Sequence, residues 1–415
     1  MLTIGQILPL TIEKPAAGGR MIARASGQVV LVSGAIPGER VQARIERVGK
    51  GVAFADAIAV DEASPDRREP FTDPACGGSL YAHIAYPRQL EIKSQVIADA
   101  FTRIGRVPLP GAVRVAASPE AGYRMRARLH VRDGRIGFFR EGTHHVCPAR
   151  PTRQLLPETC DTLERMETVL RSARVDAVQS IELSENANAT ERAVHLDTTR
   201  PLQSDVADTL HSVAGLTPGP YVTDALSIAG TAMKLRRHVL SFFQGNRYLL
   251  ADLVTHVVER VPLASPVADL YAGAGLFAVA STLVRGASVF AVEGDRMAAD
   301  DLFANAKAAG GQLTTWHQPV ERLSTTLRVL RNKLGDRSLA ETVIVDPPRT
   351  GMSREALDVT LGLKAPRFIY VSCDVATLAR DARRIVDAGY AIARADAFDL
   401  FPNTPHVETV VVFDR

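Results

Sequence analysis

From about residue 250 the chain alternates apolar runs with helical stretches. The runs "VADLYAG", "SVFAVEGD", "ETVIVDPP" and "RFIYVSCD" each stop at or beside a residue able to bind or react: Asp269, Glu293, Asp346 and Cys373. Near-continuous apolar runs suit strands buried on both faces, and their alternation with helices restricts this part of the chain to a doubly wound, mostly parallel α/β sheet. In such sheets ligands bind outside the carboxyl ends of the strands, so those four residues are the first candidates for chemistry.

The earlier part reads differently. Residues 1–62 carry short apolar runs broken by Gly-Ala-Ile-Pro-Gly and Gly-Lys-Gly, a spacing that predicts a small β-barrel. The polar, proline-containing "DEASPDRREPFTDP" reads as a linker. Leu90, Ile92, Val96, Ile97 and Phe101 recur at helical spacing, predicting a helix over about 89–105. "YRMRARLHVRDGRIGFFRE" predicts a hairpin turning at Asp133-Gly134. Together with strands near "SIELSENANATERAVHLD" and "ALSIAGTAMKLRR", these define a central α+β domain over 63–240, followed by an α/β domain over 241–415.

"DLYAGAGLF" places Asp269, Tyr271, Gly273 and Gly275 where a strand turns into a helix. Glycines there let a ligand approach the backbone. Glu293 ends the next strand, at the distance where a carboxylate grips ribose hydroxyls. The third glycine of the dinucleotide pattern is missing, since Phe277 and Ala278 follow, so the loop suits S-adenosylmethionine better than NAD. Asp346 precedes two prolines that stiffen its loop. A lone cysteine such as Cys373 is more often a buried structural thiol, but this one ends a strand beside the other groups. "DLFPNTPHVETVVVF" adds His406 and Glu408 just before a last strand.

In combination, "SFFQGN" (241–246), "DLYAGAGLF" (269–277), "VEGD" (292–295), "DPPRTG" (346–351), "YVSCDVATLARD" (370–381) and "FPNTPHVE" (401–408) resemble the S-adenosylmethionine-dependent RNA uracil-5-methyltransferases, especially the members acting on 23S ribosomal RNA. "GAIPGERV" (34–41) resembles their N-terminal TRAM barrel, an OB-like RNA-binding module. The resemblance implies a Rossmann-like class I methyltransferase domain behind the barrel and the central domain, with the 89–105 helix packing on the catalytic domain. It also implies roles. Cys373 is the nucleophile that adds to uracil carbon 6, and Glu408 the base that later removes the carbon 5 proton, with His406 as its rival. Gln244 stands near the methionine end of the cofactor, Glu293 at the ribose, and Asp346 in the shared pocket. The same chemistry on the T-loop uridine of transfer RNA is the nearest alternative. An RNA-binding or ribosome-assembly protein with decayed catalysis is another.

Two departures from the family stand out. Many members hold a [4Fe–4S] cluster on four cysteines. Here Cys76 fits only the second position, Pro70 and Ser79 stand at the first and third, and the fourth falls near Thr152, with Cys147 close by. A cubane needs four thiolates, so no iron–sulfur cluster and no metal are expected. The spacing of Cys76, Cys147, Cys160 and Cys373 outlines no disulfide framework either. Second, Asp374 follows the nucleophile where asparagine is usual. Facing inward it would oppose thiolate formation; facing away it would cap the next helix.

The formal charge of +3 says little about partners, but local charge is informative. Eight arginines against three acids between Glu120 and Gln154 give a net of +5, and Arg124, Arg126 and Arg128 alternate along one strand, as phosphate-contacting residues would. The longest mostly apolar stretch, Leu270 to Val284, is shorter than the roughly 20 residues a membrane helix needs. A monomeric cytoplasmic protein with an RNA partner and no membrane contact is the expectation.

Overall fold

The computed structural model describes residues 2–323 and 339–415. Six strands form the N-terminal sheet: β1 (Ile7–Thr11), β2 (Lys14–Pro15), β3 (Met21–Ala25), β4 (Gln28–Ser33), β5 (Arg40–Val48) and β6 (Val52–Glu62), in the order β1-β5-β6-β4-β3-β2. Period-two alternation turns Val41, Ala43 and Ile45 of β5 inward, where they join Met21, Val30 and Val32 in a barrel core. Tyr81, Ile84 and Ile92 from beyond the barrel plug the same core. The linker is fastened by a buried fork: Arg67 Nε and Nη2 each donate to Glu39 at 2.6 Å. Removing one partner would leave the other charge buried and uncompensated.

Helix α1 (Tyr86–Ala100) runs straight into a π-turn at Phe101–Gly105, close to the span expected from its periodicity. Ile97, Ala100 and Phe101 share a core with Leu378, Ala379 and Ile385 of the C-terminal region. The approach is tight: a Cβ on Gly105 would lie 2.8 Å from the Ala379 carbonyl oxygen. Strand β7 (Arg114–Ala116) then adds itself to the edge of the large C-terminal sheet.

The central sheet comprises β8 (Arg126–Arg132), β9 (Arg135–Phe139), β10 (Val146–Pro148), β11 (Val178–Glu185) and β12 (Arg192–Thr198), in the order β10-β9-β8-β11-β12. The β8–β9 turn falls at Asp133-Gly134, both with positive φ (53° and 68°), as a primed two-residue turn demands. Helices α2 (Pro157–Ser172) and α3 (Ser204–His211) cover one face, burying Leu129, Val131, Leu163 and Met166 together. The hairpin β13 (Tyr221–Ile228) and β14 (Thr231–His238) leaves this sheet. Its Ile228, Met233 and Leu235 pack with Leu250 and Leu253 of α4 (Leu250–Val258) instead.

The C-terminal layer is an eight-stranded sheet containing β7 with β15 (Pro266–Leu270), β16 (Ser288–Glu293), β17 (Leu313–His317), β18 (Thr342–Val345), β19 (Arg367–Ser372), β20 (Ala391–Phe398) and β21 (Glu408–Asp414), in the order β17-β16-β15-β18-β19-β21-β20-β7. β15 to β19 are mutually parallel, and β21 is inserted antiparallel between β19 and β20. Helices α5 (Leu276–Arg285), α6 (Arg296–Ala309), α7 (Arg354–Leu361) and α8 (Val375–Asp387) connect the strands. This is the doubly wound, mostly parallel α/β architecture expected from the alternation of runs, and the class I methyltransferase fold that the resemblance implies.

One cysteine reading is corrected. Cys76 and Cys147 are joined, S–S 2.05 Å, across 71 residues. The 73–79 turn folds onto the end of the β9 strand, with Gly77 N donating to Phe139 O and Glu141 N to Ala75 O, and brings the two sulfurs together. No spacing rule pairs two lone cysteines so far apart. The Thr152 hydroxyl donates to Ala149 O at 2.6 Å. Ser79, by contrast, is buried with no partner for its hydroxyl. Cys160 is free and buried in the α2 core.

Candidate active site

Residues from distant segments meet at the carboxyl edge of the C-terminal sheet. After β15 the backbone turns sharply through Tyr271 (φ 63°), Gly273 (φ 56°) and Gly275 (φ 94°). Gly275 is the N-cap of α5, and a Cβ there would sit 2.9 Å from the Leu302 side chain. Glu293 closes β16 and accepts from the Gly273 and Asp295 amides, both at 2.7 Å. Asp346 follows β18 and accepts from Gln244 Nε2 at 2.9 Å. Cys373 follows β19. Because Ser372 pairs with Thr409 in the antiparallel register, Cys373 and Glu408 are the next residues on the two adjoining strands.

Gln244, Tyr271, Gly273, Glu293, Asp346, Cys373 and Glu408 line one cavity of ≈720 Å³, ample for a nucleoside-sized ligand. Asp269 and Gly275 support the loop from behind and are not part of the lining. His406 is also absent from the lining; its ring meets Phe401 edge-on at 6.1 Å. Burial first, then the Arg349 charge, pulls the His406 pKa down to about 4. Pro319 and Val320 supply an apolar wall.

The cavity is strongly acidic. Asp269 is fully buried, with only the Ala278 amide near to favour its charge. Burial, then the Asp346 charge, lifts it well above the carboxylate range. Asp346 is raised to about 7 by burial; the Gln244 bond opposes the shift and Glu293 adds to it. Glu408 is likewise raised well above its usual range by burial and then Asp346, with Arg349 opposing; one of its oxygens is unpartnered. Buried carboxylates only partly compensated by Arg349 are costly, and a cationic ligand would relieve that cost. S-adenosylmethionine, which carries a sulfonium and an ammonium, fits such a lining, and the glycine loop gives its body close access to backbone.

Burial, followed by Glu408, pushes the Cys373 thiol up to about 12; the nearby Arg349 guanidinium works the other way. Asp374 faces away from the sulfur. Its Oδ1 accepts from Thr377 N at 2.9 Å and caps α8. Arg349 and Phe242 were not singled out in the sequence, although both fall inside recognised motifs. Phe242 is 57% exposed at the cavity mouth, with Arg126 5.9 Å from its ring. The three alternating arginines do not form one open face. Arg124 is half-buried, donating to Gln154 Oε1 at 2.6 Å and to the Arg126 carbonyl. Arg126 lines the cavity, and burial lowers its pKa to about 10. Arg128 alone is exposed, next to Glu182 and Asp197. The local reason is that β8 begins at Arg126, while Arg124 belongs to the segment bridged to Asn246.

Comparison with known proteins agrees with this geometry. A family profile described as tRNA (Uracil-5-)-methyltransferase matches residues 217–415, and a TRAM domain profile matches residues 2–58. The chain is 31% identical to a 23S rRNA (uracil(1939)-C(5))-methyltransferase RlmD of Halomonas elongata, over 98% of this chain and 89% of that one. It is 32% identical to the RlmD of Pseudomonas putida, over 99% and 94%. Among solved structures, Pyrococcus abyssi tRNA (uracil-54, C5)-methyltransferase in complex with S-adenosyl-L-homocysteine superposes with a TM-score of 0.74, at 22% identity, covering 97% of this chain and 99% of that one. At that identity the likeness speaks for the fold.

Proposed function

Since the chain belongs to the S-adenosylmethionine-dependent RNA uracil-5-methyltransferase family, we propose that it methylates carbon 5 of one uridine in 23S ribosomal RNA through a covalent adduct on Cys373. The observation carrying this reading is the convergence of Cys373, Glu408, Asp346 and Gln244 on the cavity that also holds the glycine loop. The two RlmD relatives, matched over nearly their whole length, support ribosomal RNA as the substrate.

Uracil carbon 5 is a poor nucleophile until a thiolate adds to carbon 6 and converts the ring to an enolate. S-adenosylmethionine, when bound, supplies an electrophilic methyl group and a positive charge beside the acidic lining. Cys373 adds to carbon 6, helped by the Arg349 guanidinium, which favours the thiolate. Asp346 and Gln244, bonded to each other, orient the ligands. After carbon 5 is methylated, Glu408 takes its remaining proton and the carbon–sulfur bond breaks, freeing Cys373. A carboxylate with a raised pKa is a better base for that proton than an exposed one.

The target base must leave its stack to enter the cavity. Arg124, Arg126 and Phe242 stand at the mouth. Along the open face of β8 follow Arg128, then His130 stacked on Phe139 at 3.5 Å, with Arg132 5.4 Å from the Phe139 ring. Cations interleaved with aromatics suit an RNA strand leading away from the flipped base. One chain completes the cavity, which supports action as a monomer, and ribosomal RNA as substrate supports a cytoplasmic reaction.

Mapping 5-methyluridine across ribosomal and transfer RNA from a strain lacking this protein tests the substrate. Loss of one 23S uridine methylation is expected. Loss confined to transfer RNA would assign the same chemistry to the other substrate class.

A further inference from the structure

The segment 399–407, which leads β20 into β21 and delivers Glu408, is held largely by residues outside the C-terminal domain. Its pivot is Asn403, 2% exposed and in the left-handed region (φ 63°). Asn403 Oδ1 accepts from Arg68 Nη2 at 2.7 Å and from Gln89 Nε2 at 2.9 Å. Its amide donates to Gln89 Oε1 at 2.9 Å, and its carbonyl accepts from Tyr81 N at 2.8 Å. Arg68 belongs to the linker, Tyr81 to the stretch between the linker and α1, and Gln89 to α1.

The neighbours repeat the pattern. Lys93 of α1 donates to Asp399 at 2.5 Å and to the Phe401 carbonyl at 3.1 Å, in a fully buried ion pair. Tyr123 OH donates to the Pro402 carbonyl at 3.4 Å. Gly19 of the barrel packs so closely on Pro405 that a Cβ would lie 2.9 Å from the proline ring. Pro402 and Pro405 stiffen the backbone on either side of Asn403. A displacement at Asn403 therefore passes down a stiff segment of five residues to Glu408.

We propose that Asn403 is a positioning residue for the catalytic base, through which the barrel, linker and α1 set where the Glu408 carboxylate lies in the cavity. The N-terminal half of the chain thus has a part in the proton-removal step besides holding RNA. The inference rests on the reading of Glu408 as base. It assigns Asn403 to that one step, not to cofactor binding or thiol addition, whose residues sit on other strands.

The test uses the full chain and single-turnover and steady-state kinetics on target RNA. Asn403→Gly keeps the left-handed backbone and removes the side-chain acceptor; Asn403→Asp keeps the acceptor. Misplacing a catalytic group by about 1 Å costs on the order of 10²-fold. Asn403→Gly is therefore expected to lower kcat by about 10- to 100-fold, with KM for RNA and S-adenosylmethionine affinity nearly unchanged. A covalent protein–RNA adduct should build up during turnover. Asn403→Asp should recover most of the rate. Should Asn403→Gly fail to fold, Arg68→Ala removes one of the two donors at a half-buried position and should show the same adduct build-up more weakly. Glu408→Gln is the comparator. The proposal is overturned if Glu408→Gln accumulates adduct while folded Asn403→Gly turns over normally, or slows without accumulating any. If Glu408→Gln itself accumulates none, the reading of Glu408 as base falls and this inference falls with it.

Discussion

Cys373 sits where a thiol resists ionisation: its surroundings are buried, and Glu408 lies beside it, with Arg349 the opposing cation. A ligand cation would shift that balance, which makes binding and protonation interdependent. Asp346, raised to about 7, must give up its proton to interact fully with a positive charge. S-adenosylmethionine should therefore bind more tightly as pH rises through about 7 and should release protons on binding. S-adenosylhomocysteine, with an uncharged sulfur, should show a weaker dependence. Titration calorimetry in buffers of different ionisation enthalpy measures both, and equal dependence for the two ligands would contradict the electrostatic reading. The stability of the ligand-free protein runs the opposite way with pH. A carboxyl whose folded pKa is raised stabilises the fold below its unfolded value and loses that contribution as pH rises toward about 7. Cys373 makes a sharper case. Cys373→Ala should abolish methyl transfer yet keep S-adenosylmethionine affinity within a few-fold, since the glycine loop and Glu293 lie on other strands; appreciable methylation by this variant would contradict covalent catalysis.

At the scale of elements, the strand ends were the most legible part of the sequence. A strand buried on both faces announces itself by a continuous apolar run, and its end is marked by the first polar or reactive residue. Asp346 and Cys373 follow their strands by one residue, and Glu293 is the last residue of its own. The Asp133-Gly134 turn was legible for an equally local reason, since few residues adopt two successive positive φ angles. What sequence could not convey depended on distant contacts. The Cys76–Cys147 bridge needs the 73–79 turn to fold onto the β9 strand, and the burial of Arg124 depends on Gln154, thirty residues away. Two expectations follow. Cys147→Ser should lower stability under non-reducing conditions by about 2–4 kcal/mol, the usual contribution of a disulfide, read by chemical denaturation. Activity of the folded enzyme should survive, because neither cysteine lines the cavity. Replacing Arg126 and Arg128 together should weaken RNA binding and reduce its salt slope by about one unit per lost phosphate contact. An unchanged slope would return these arginines to a structural role.

At the scale of the molecule, the cavity is a joint product of the central and C-terminal parts, and the loop leading to Glu408 is braced by the barrel, linker and first helix. Sequence motifs pointed to most of the residues named for the site that line the cavity, because each motif is a short stretch at a strand end or turn. They could not show that Asn403 is gripped by Arg68 and Gln89, since those contacts span more than three hundred residues. Nor could they show that Asp374 turns away to cap α8 and leaves the sulfur to Arg349. The account's central claim is that Cys373 forms the adduct and Glu408 ends it. Intact mass spectrometry of the Glu408→Gln variant, incubated with S-adenosylmethionine and target RNA, tests it most directly. The account predicts a stable protein–RNA species carrying one added methyl group, with the linkage mapped to Cys373. Normal turnover with no such species, or a linkage at any other residue, would contradict it.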